Sequence, residues 1–417
     1  MSKLETLNLQ FNSLQGAIPM EIGKLKKLKQ IVLDFNQLSS FLPLGLFNIS
    51  SLEAVALRSN SLSGSLPSSI CPRLRGLTLL DLSLNKLSGV IPPSLSECSK
   101  LQVLRLGGNN LSGVIPEGFG NLTALKRLHL GWNNLIGVIP VGFGNLTALV
   151  ELCLGDNNLI GVIPEGFGNL TALVELCLGG SNLIGSIPHE LGRLKHLEKL
   201  ALGSNSLTGS IPAQIFNIST LRELDLSNNT LSGRLPSSTG YGLINLEVLA
   251  LFSNEFDGVI PASISNASKL THLDLGGNRF SGPVPNSLGN LRLLRDLDLV
   301  DNHLTTEPSS RELSFISYLT NCKYLKILGF AENPLHGFFP MSVGNLSTSM
   351  ERFYAYGCGI KGSIPDGIGN FSSLIILNLY GNHLRGPVPV TMKYLQNLQA
   401  LFLDDNQLAE IYRACAR

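Results

Sequence analysis

The sequence predicts an α/β solenoid of about 17 stacked coils. A parallel sheet would line the concave side and short 3-10 or irregular segments the convex side, the whole closing into a horseshoe or superhelix. Three observations predict it. Residues 138–161, VIPVGFGNLTALVELCLGDNNLIG, are written again at 162–185 with only three changes. A pattern of leucine-x-x-leucine-x-leucine-x-x-asparagine runs the length of the chain. Its last position falls at Asn12, Asn36, Asn60, Asn85, Asn109, Asn133, Asn157, Ser181, Asn205, Asn229, Asn254, Asn278, Asn302, Asn333, Cys358, Asn382 and Asn406. Of the 16 spacings in that series, 12 equal 24, so the unit is a coil of fixed length rather than scattered leucines.

Each element follows from its residues. In Leu152-Cys153-Leu154 the apolar residues alternate at strand period, which puts both leucines inward and the middle residue outward. No single coil can bury its own leucines, so neighbours must stack into one apolar spine. Asparagine suits the corner that follows, because its amide both donates and accepts and can bridge adjacent coils. The next stretch, of the type GVIPEGFGNL, carries Gly and Pro and reads as turns and irregular backbone. At about 4.8 Å per strand, such a stack would run roughly 80 Å. One unit departs from the period. Residues 305–324 hold SSRELSFISYL, with a capping-box start at Ser309 and Glu312 and apolar Leu313, Phe315, Ile316 and Leu319, which predicts a short helix. The organisation is therefore repeats 1–13 over 1–304, the irregular segment 305–324, repeats 14–17 over 325–408, and a tail at 409–417 outside the pattern.

The 24-residue unit with GSIP, GVIP or GPVP after the asparagine corner resembles the plant-specific leucine-rich repeat, from Leu4 to Leu408. The chain looks like the ectodomain of plant receptor-like kinases and receptor-like proteins. Within that family the irregular segment resembles the group that includes the flagellin and elongation-factor receptors. The resemblance implies recognition of a peptide or microbial protein fragment in immune or developmental signalling, with a co-receptor recruited near the C-terminal repeats. It also implies an extracellular location for a parent receptor serine/threonine kinase. A soluble repeat inhibitor of cell-wall hydrolases is the alternative; such inhibitors have fewer repeats and capping cysteine pairs. The chain opens MSKLETLNLQ inside a repeat and closes NQLAEIYRACAR, with no secretory signal, membrane helix or kinase domain. The expectation is a fragment, mispredicted gene model or truncated product of a larger receptor.

A net charge of +1 with 15% charged residues carries no nucleic-acid or polybasic membrane footprint. Leu128–Val150 lacks charges, but His129, Asn133, Asn134, Pro140 and Asn145 sit in repeat slots and speak against a membrane span. Seven cysteines show no metal-knuckle spacing. Cys98 and Cys322 occupy a leucine slot and read as buried thiols, and Cys358 replaces a corner asparagine. Cys153 and Cys177 fall opposite each other on adjacent strands, at a distance a disulfide tolerates. Ten Asn-x-Ser/Thr sequons, at Asn48, Asn110, Asn121, Asn145, Asn169, Asn217, Asn228, Asn266, Asn345 and Asn370, are candidate glycosylation sites.

Catalysis finds no footing. LRDLDLVDN at 294–302 imitates a kinase catalytic loop, but Leu294 stands where histidine is needed and Asn302 lies one residue too far. No metal, cofactor or catalytic residue is expected, which leaves binding on the concave face. The outward candidates are Arg58, Arg105, Arg127, His129, Trp132 and Asp156, then Phe252, then Tyr354, Tyr356, Tyr380 and Phe402. Large exposed aromatics on a rigid sheet are the strongest signal, because they cost solubility unless something docks there. Asp225, Asp274, Asp298 and Asp301 read as ordinary solvated repeat residues. The irregular segment either seals the core or walls a binding site. A face running between the Trp132 and Tyr356 regions would suit an extended peptide.

Overall fold

The computed structural model describes residues 3–68 and 70–410 and divides into two compact units, at Leu207/Thr208. Of the expected tail at 409–417, residues 411–417 lie outside the described residues, and 409 and 410 belong to the strand Gln407–Glu410.

In the first unit, nine three-residue strands pair in parallel. Their register runs Thr6, Gln30, Ala54, Leu79, Val103, Arg127, Glu151, Glu175 and Lys199. The second unit has eight, from Glu223–Asp225 to Ala400–Phe402, in the same arrangement. Leu104, Leu128, Leu152, Leu176 and Leu200 at the strand centres are fully buried, and Leu154 and Leu178 complete the inward face as the alternation requires. Behind them Phe119, Phe143 and Phe167 are equally buried. Full burial of such a side chain contributes roughly 1.5–3 kcal/mol, and stacking delivers it in every coil.

The corner asparagines form a ladder. Asn133 Nδ2 donates to the carbonyls of Leu130 at 3.0 Å and Gly131 at 3.3 Å in its own coil, and of Leu106 at 3.1 Å in the coil before. Its Oδ1 accepts the Leu111 amide at 3.0 Å. Asn157 repeats the arrangement. At Cys358 the single S–H lies within reach of two carbonyls, Phe330 O and Tyr356 O, and burial pushes its pKa up to about 12.

Three expectations need correction. The Gly/Pro-rich stretch does form 3-10 turns such as Glu117–Asn121, entered from Pro116, but it first forms a second parallel ladder. Lys86–Val90, Asn110–Val114 and Asn134–Val138 are consecutive strands of it. Identical coils bring equivalent amides and carbonyls face to face, and stacking overrides weak strand propensity. The helix of the irregular segment is Ser314–Leu319, with Leu313 at its N-cap and no side-chain cap. The expected Ser309–Glu312 capping box is absent; Ser310 Oγ instead bonds the Glu312 backbone. Leu313, Phe315, Ile316 and Leu319 are buried, and Phe315 meets Phe330 edge-on at 5.4 Å, so these side chains seal the core rather than wall a site. Finally, Cys98 is no free thiol: it is disulfide-bonded to Cys71, with Cα atoms 5.0 Å apart. No helix of the described residues is long and apolar enough to cross a membrane.

Candidate ligand site

Strand register decides which outward side chains meet. Asp81, Arg105, His129, Cys153 and Cys177 form one row across neighbouring strands, and Arg127, Glu151 and Glu175 the row beside it. Glu151 is the hub. Its Oε1 accepts from Arg127 Nε at 2.7 Å, its Oε2 lies 2.9 Å from His129 Nε2, and Arg105 approaches to 3.7 Å. Arg105 also faces Asp81 at 3.7 Å. Burial pushes the Glu151 carboxyl upward, but the hydrogen bond and charge of Arg127, with His129 and Arg105, outweigh it and the pKa falls. His129 is lowered by burial first and the Arg105 charge second, which favours a neutral ring.

Beside this network lies an open cavity of about 560 Å³, lined by Arg58, Ser83, Leu84, Arg105, His129, Trp132, Cys153 and the backbone of Gly107, Gly108 and Gly131. Gly131 keeps the floor low: a Cβ there would stand 2.9 Å from the Gly155 carbonyl oxygen of the next coil. Arg58 Nε and Arg105 Nε are buried donors without an acceptor among the described residues. The cavity therefore offers two guanidinium groups, one of them flanked by Asp81 and Glu151, and an indole wall.

The residue before each corner asparagine adopts left-handed backbone, and most coils place Gly, Ser, Asp or Asn there. The first unit instead puts Phe11, Phe35, Leu84 and Trp132 in that slot, with φ between 54° and 57°. Bulky residues are disfavoured in this conformation by about 1–2 kcal/mol each. They are also exposed, Trp132 to 71% and Phe11 to 69%, and Phe11 stacks on Phe35 at 4.5 Å. Arg58 lies over the Phe35 ring at 5.5 Å. Sequence reasoning found Trp132 but missed Phe11, Phe35 and Leu84, whose shared slot was a readable signal.

Of the other candidates, Asp156 follows Trp132 in the same slot one coil on and is exposed. Phe252, in the second unit, is 42% exposed. Tyr354 and Phe402 share a row, separated by Asn378, and Tyr356 and Tyr380 lie just past their strands in adjacent coils. Tyr354 and Tyr356 are half-buried, so this group is a shallow aromatic patch of the second unit. Cys153 and Cys177 stand in register as expected, half-buried and as thiols. All ten sequon asparagines are exposed. Eight end a convex 3-10 turn, whereas Asn110 opens a strand of the second ladder and Asn228 occupies the left-handed slot.

A family model described as Leucine rich repeat matches in overlapping windows from 50 to 184 and from 219 to 304, and a second, Leucine Rich Repeat, matches 3–25. The receptor kinase-like protein Xa21 of Oryza sativa subsp. japonica is 44% identical over 86 residues, 21% of this chain and 8% of its own. The LRR receptor-like serine/threonine-protein kinase EFR of Arabidopsis thaliana is 39% identical over 89 residues, again 21% and 8%. The crystal structure of PEPR1-AtPEP1 superposes with a TM-score of 0.83 at 32% identity, covering 98% of this chain and 62% of that one. That of the Arabidopsis receptor kinase HAESA with the peptide hormone IDA and the co-receptor SERK1 gives 0.78 at 32%, covering 98% and 75%. The matched segments thus span under a tenth of the curated relatives' length.

Proposed function

The chain belongs to the leucine-rich-repeat family, and from that premise we propose that it is the ligand-recognition region of a plant receptor kinase, binding an extended peptide in the Trp132 cavity. The observation that carries this reading is the row of exposed apolar side chains on left-handed backbone, ending at Trp132 beside Arg58 and Arg105. A fold that accommodates glycine in that slot gains nothing internally from an exposed indole there. The peptide would lay an apolar side chain on Trp132 and present a carboxylate to Arg58 and Arg105, which pair with carboxylates through their planar fork. Arg127, His129 and Asp156 would border it. The HAESA structure holds a peptide hormone and a co-receptor. By analogy, the patch of Tyr354, Tyr356, Tyr380 and Phe402 is proposed as a second contact, for peptide or co-receptor, with Phe252 as an outlier within the second unit.

The same reading places the chain outside the cell, attached to a membrane helix and a kinase domain in the full receptor. The Cys71–Cys98 disulfide suits an oxidising compartment, and exposed sequon asparagines suit glycosylation. Intact mass of the secreted chain before and after glycan removal tests the latter; an unchanged mass refutes it. Selection of a random peptide library on the full chain tests the main proposal. Enriched peptides should be acidic and carry an apolar anchor, and Trp132→Ala or Arg105→Ala should weaken them at least about tenfold. Enrichment that ignores both substitutions would refute the cavity as the site.

A further inference from the structure

The duplication that produced the two near-identical coils gave the second carboxylate different neighbours on the strand before it. Glu151 and Glu175 are the same residue of the repeat, in register on adjacent strands. Glu151 is held by Arg127 of the coil before it, with His129 Nε2 2.9 Å away. Glu175 has Glu151 and Cys153 in those places on the coil before it, and Lys199 stands in register on the coil after it. A pair of thiols lies close to it: Cys153, Cys177 and the Glu175 carboxylate bring one sulfur, one sulfur and one oxygen within 4.8 Å of one another. All three residues are half-buried, so the group is partly desolvated yet open on one side.

We propose that Cys153, Cys177 and Glu175 form a binding site for a thiophilic divalent cation of the zinc class, with a fourth position open to solvent or to a ligand in the cavity. The donor set is the argument. Two thiolates neutralise such an ion and the carboxylate adds a third anionic donor, and tetrahedral zinc with bonds of about 2.0–2.3 Å needs its ligands roughly 3.5–4 Å apart. The three atoms have only to draw together slightly, on strands whose register is fixed by the sheet. Hard cations are disfavoured because two of the three donors are sulfur. The open side has an identifiable direction, because Cys153 also lines the Trp132 cavity. Cys153 and Cys177 stand in register as an unbridged pair of thiols. A cation entering there would replace the two thiol protons, with no change in the net charge of the group. The site does not require a bound peptide.

The probes are Co²⁺, read by its thiolate charge-transfer absorbance, and Zn²⁺ in competition with it, on the full metal-free chain with both thiols shown to be reduced. The expected result is one equivalent of Co²⁺ bound with thiolate absorbance and displaced by Zn²⁺. Cys153→Ser and Cys177→Ser should each weaken binding at least about 100-fold, and Glu175→Gln about tenfold with the thiolate bands retained. Circular dichroism melts of each variant establish that the fold persists. Equal Co²⁺ uptake by wild type and the Cys153→Ser/Cys177→Ser double variant would overturn the proposal. So would a folded, fully reduced wild type that binds no cobalt, or isolation of the pair only as a Cys153–Cys177 disulfide.

Discussion

Asn133 Oδ1 accepts the backbone amide of Leu111, 22 residues earlier in the chain, at 3.0 Å. With three carbonyls served by the same side chain, one amide joins two coils at a buried corner. Replacing Asn133 by alanine strands these groups away from water, at about 1–3 kcal/mol for the unsatisfied partners. Chemical denaturation should show that loss in Asn133→Ala. The natural exception offers the converse experiment. Ser181 fills the same slot but contributes a hydroxyl, bonding Asn157 O at 3.4 Å. Ser181→Asn should restore the rung and stabilise the chain by about 1 kcal/mol; an unchanged midpoint would show that the ladder adds no stability there.

The disulfide is the second test. Cys71 lies on the short helix Ile70–Arg73 and Cys98 caps the following 3-10 turn, 27 residues on. Closing a loop of that size stabilises by about 3–4 kcal/mol when the native geometry is unstrained. Cys98→Ser should lower the melting temperature by several degrees, and reductant should do the same to wild type only.

Asp274 supplies a pH dependence. It stands in register with Asp298, and burial, then the charges of Asp298 and Asp225, push its pKa up to about 6 despite a hydrogen bond from the Gly276 amide. The folded state therefore holds this proton more tightly than the unfolded chain, whose carboxyl titrates near the ordinary value of 3.8. Its contribution is fully present below about pH 4 and is lost as pH rises through about 6. Stability should rise between pH 7 and pH 5, by about 1 kcal/mol or less from this group given its partial exposure. Asp274→Asn should remove part of that rise and stabilise the chain at pH 7. Thermal melts across this range decide it; a variant with an undiminished rise would place the effect elsewhere.

What was legible in the sequence follows from how strictly each position is constrained. Leu128 and Leu152 repeat because the spine takes only large apolar side chains, with Ile31, Val55 and Phe353 in the same slot of other coils, and Asn133 because no other small side chain makes four bonds at that corner. The second ladder was not legible: Gly113 and Pro116 speak for turns, and pairing comes only from stacking. Cys71 escaped notice because its 27-residue separation from Cys98 lies off the 24-residue grid, a helix having replaced the usual turn. The cavity was half legible. Trp132 and Arg105 stood out as residue types, but their meeting with Arg58 depends on the low glycine floor.

The central claim is that ligand meets the chain at Trp132, and this residue reports on itself. It is the only tryptophan in the sequence and is 71% exposed. Its emission should be red-shifted and freely quenched by acrylamide in the unliganded chain. Titration with a library-selected peptide should move the emission to the blue and protect it from quencher, saturating at the affinity that calorimetry gives. If calorimetry shows the peptide fully bound while emission and quenching stay those of the free chain, the ligand binds elsewhere and the account of this cavity is wrong.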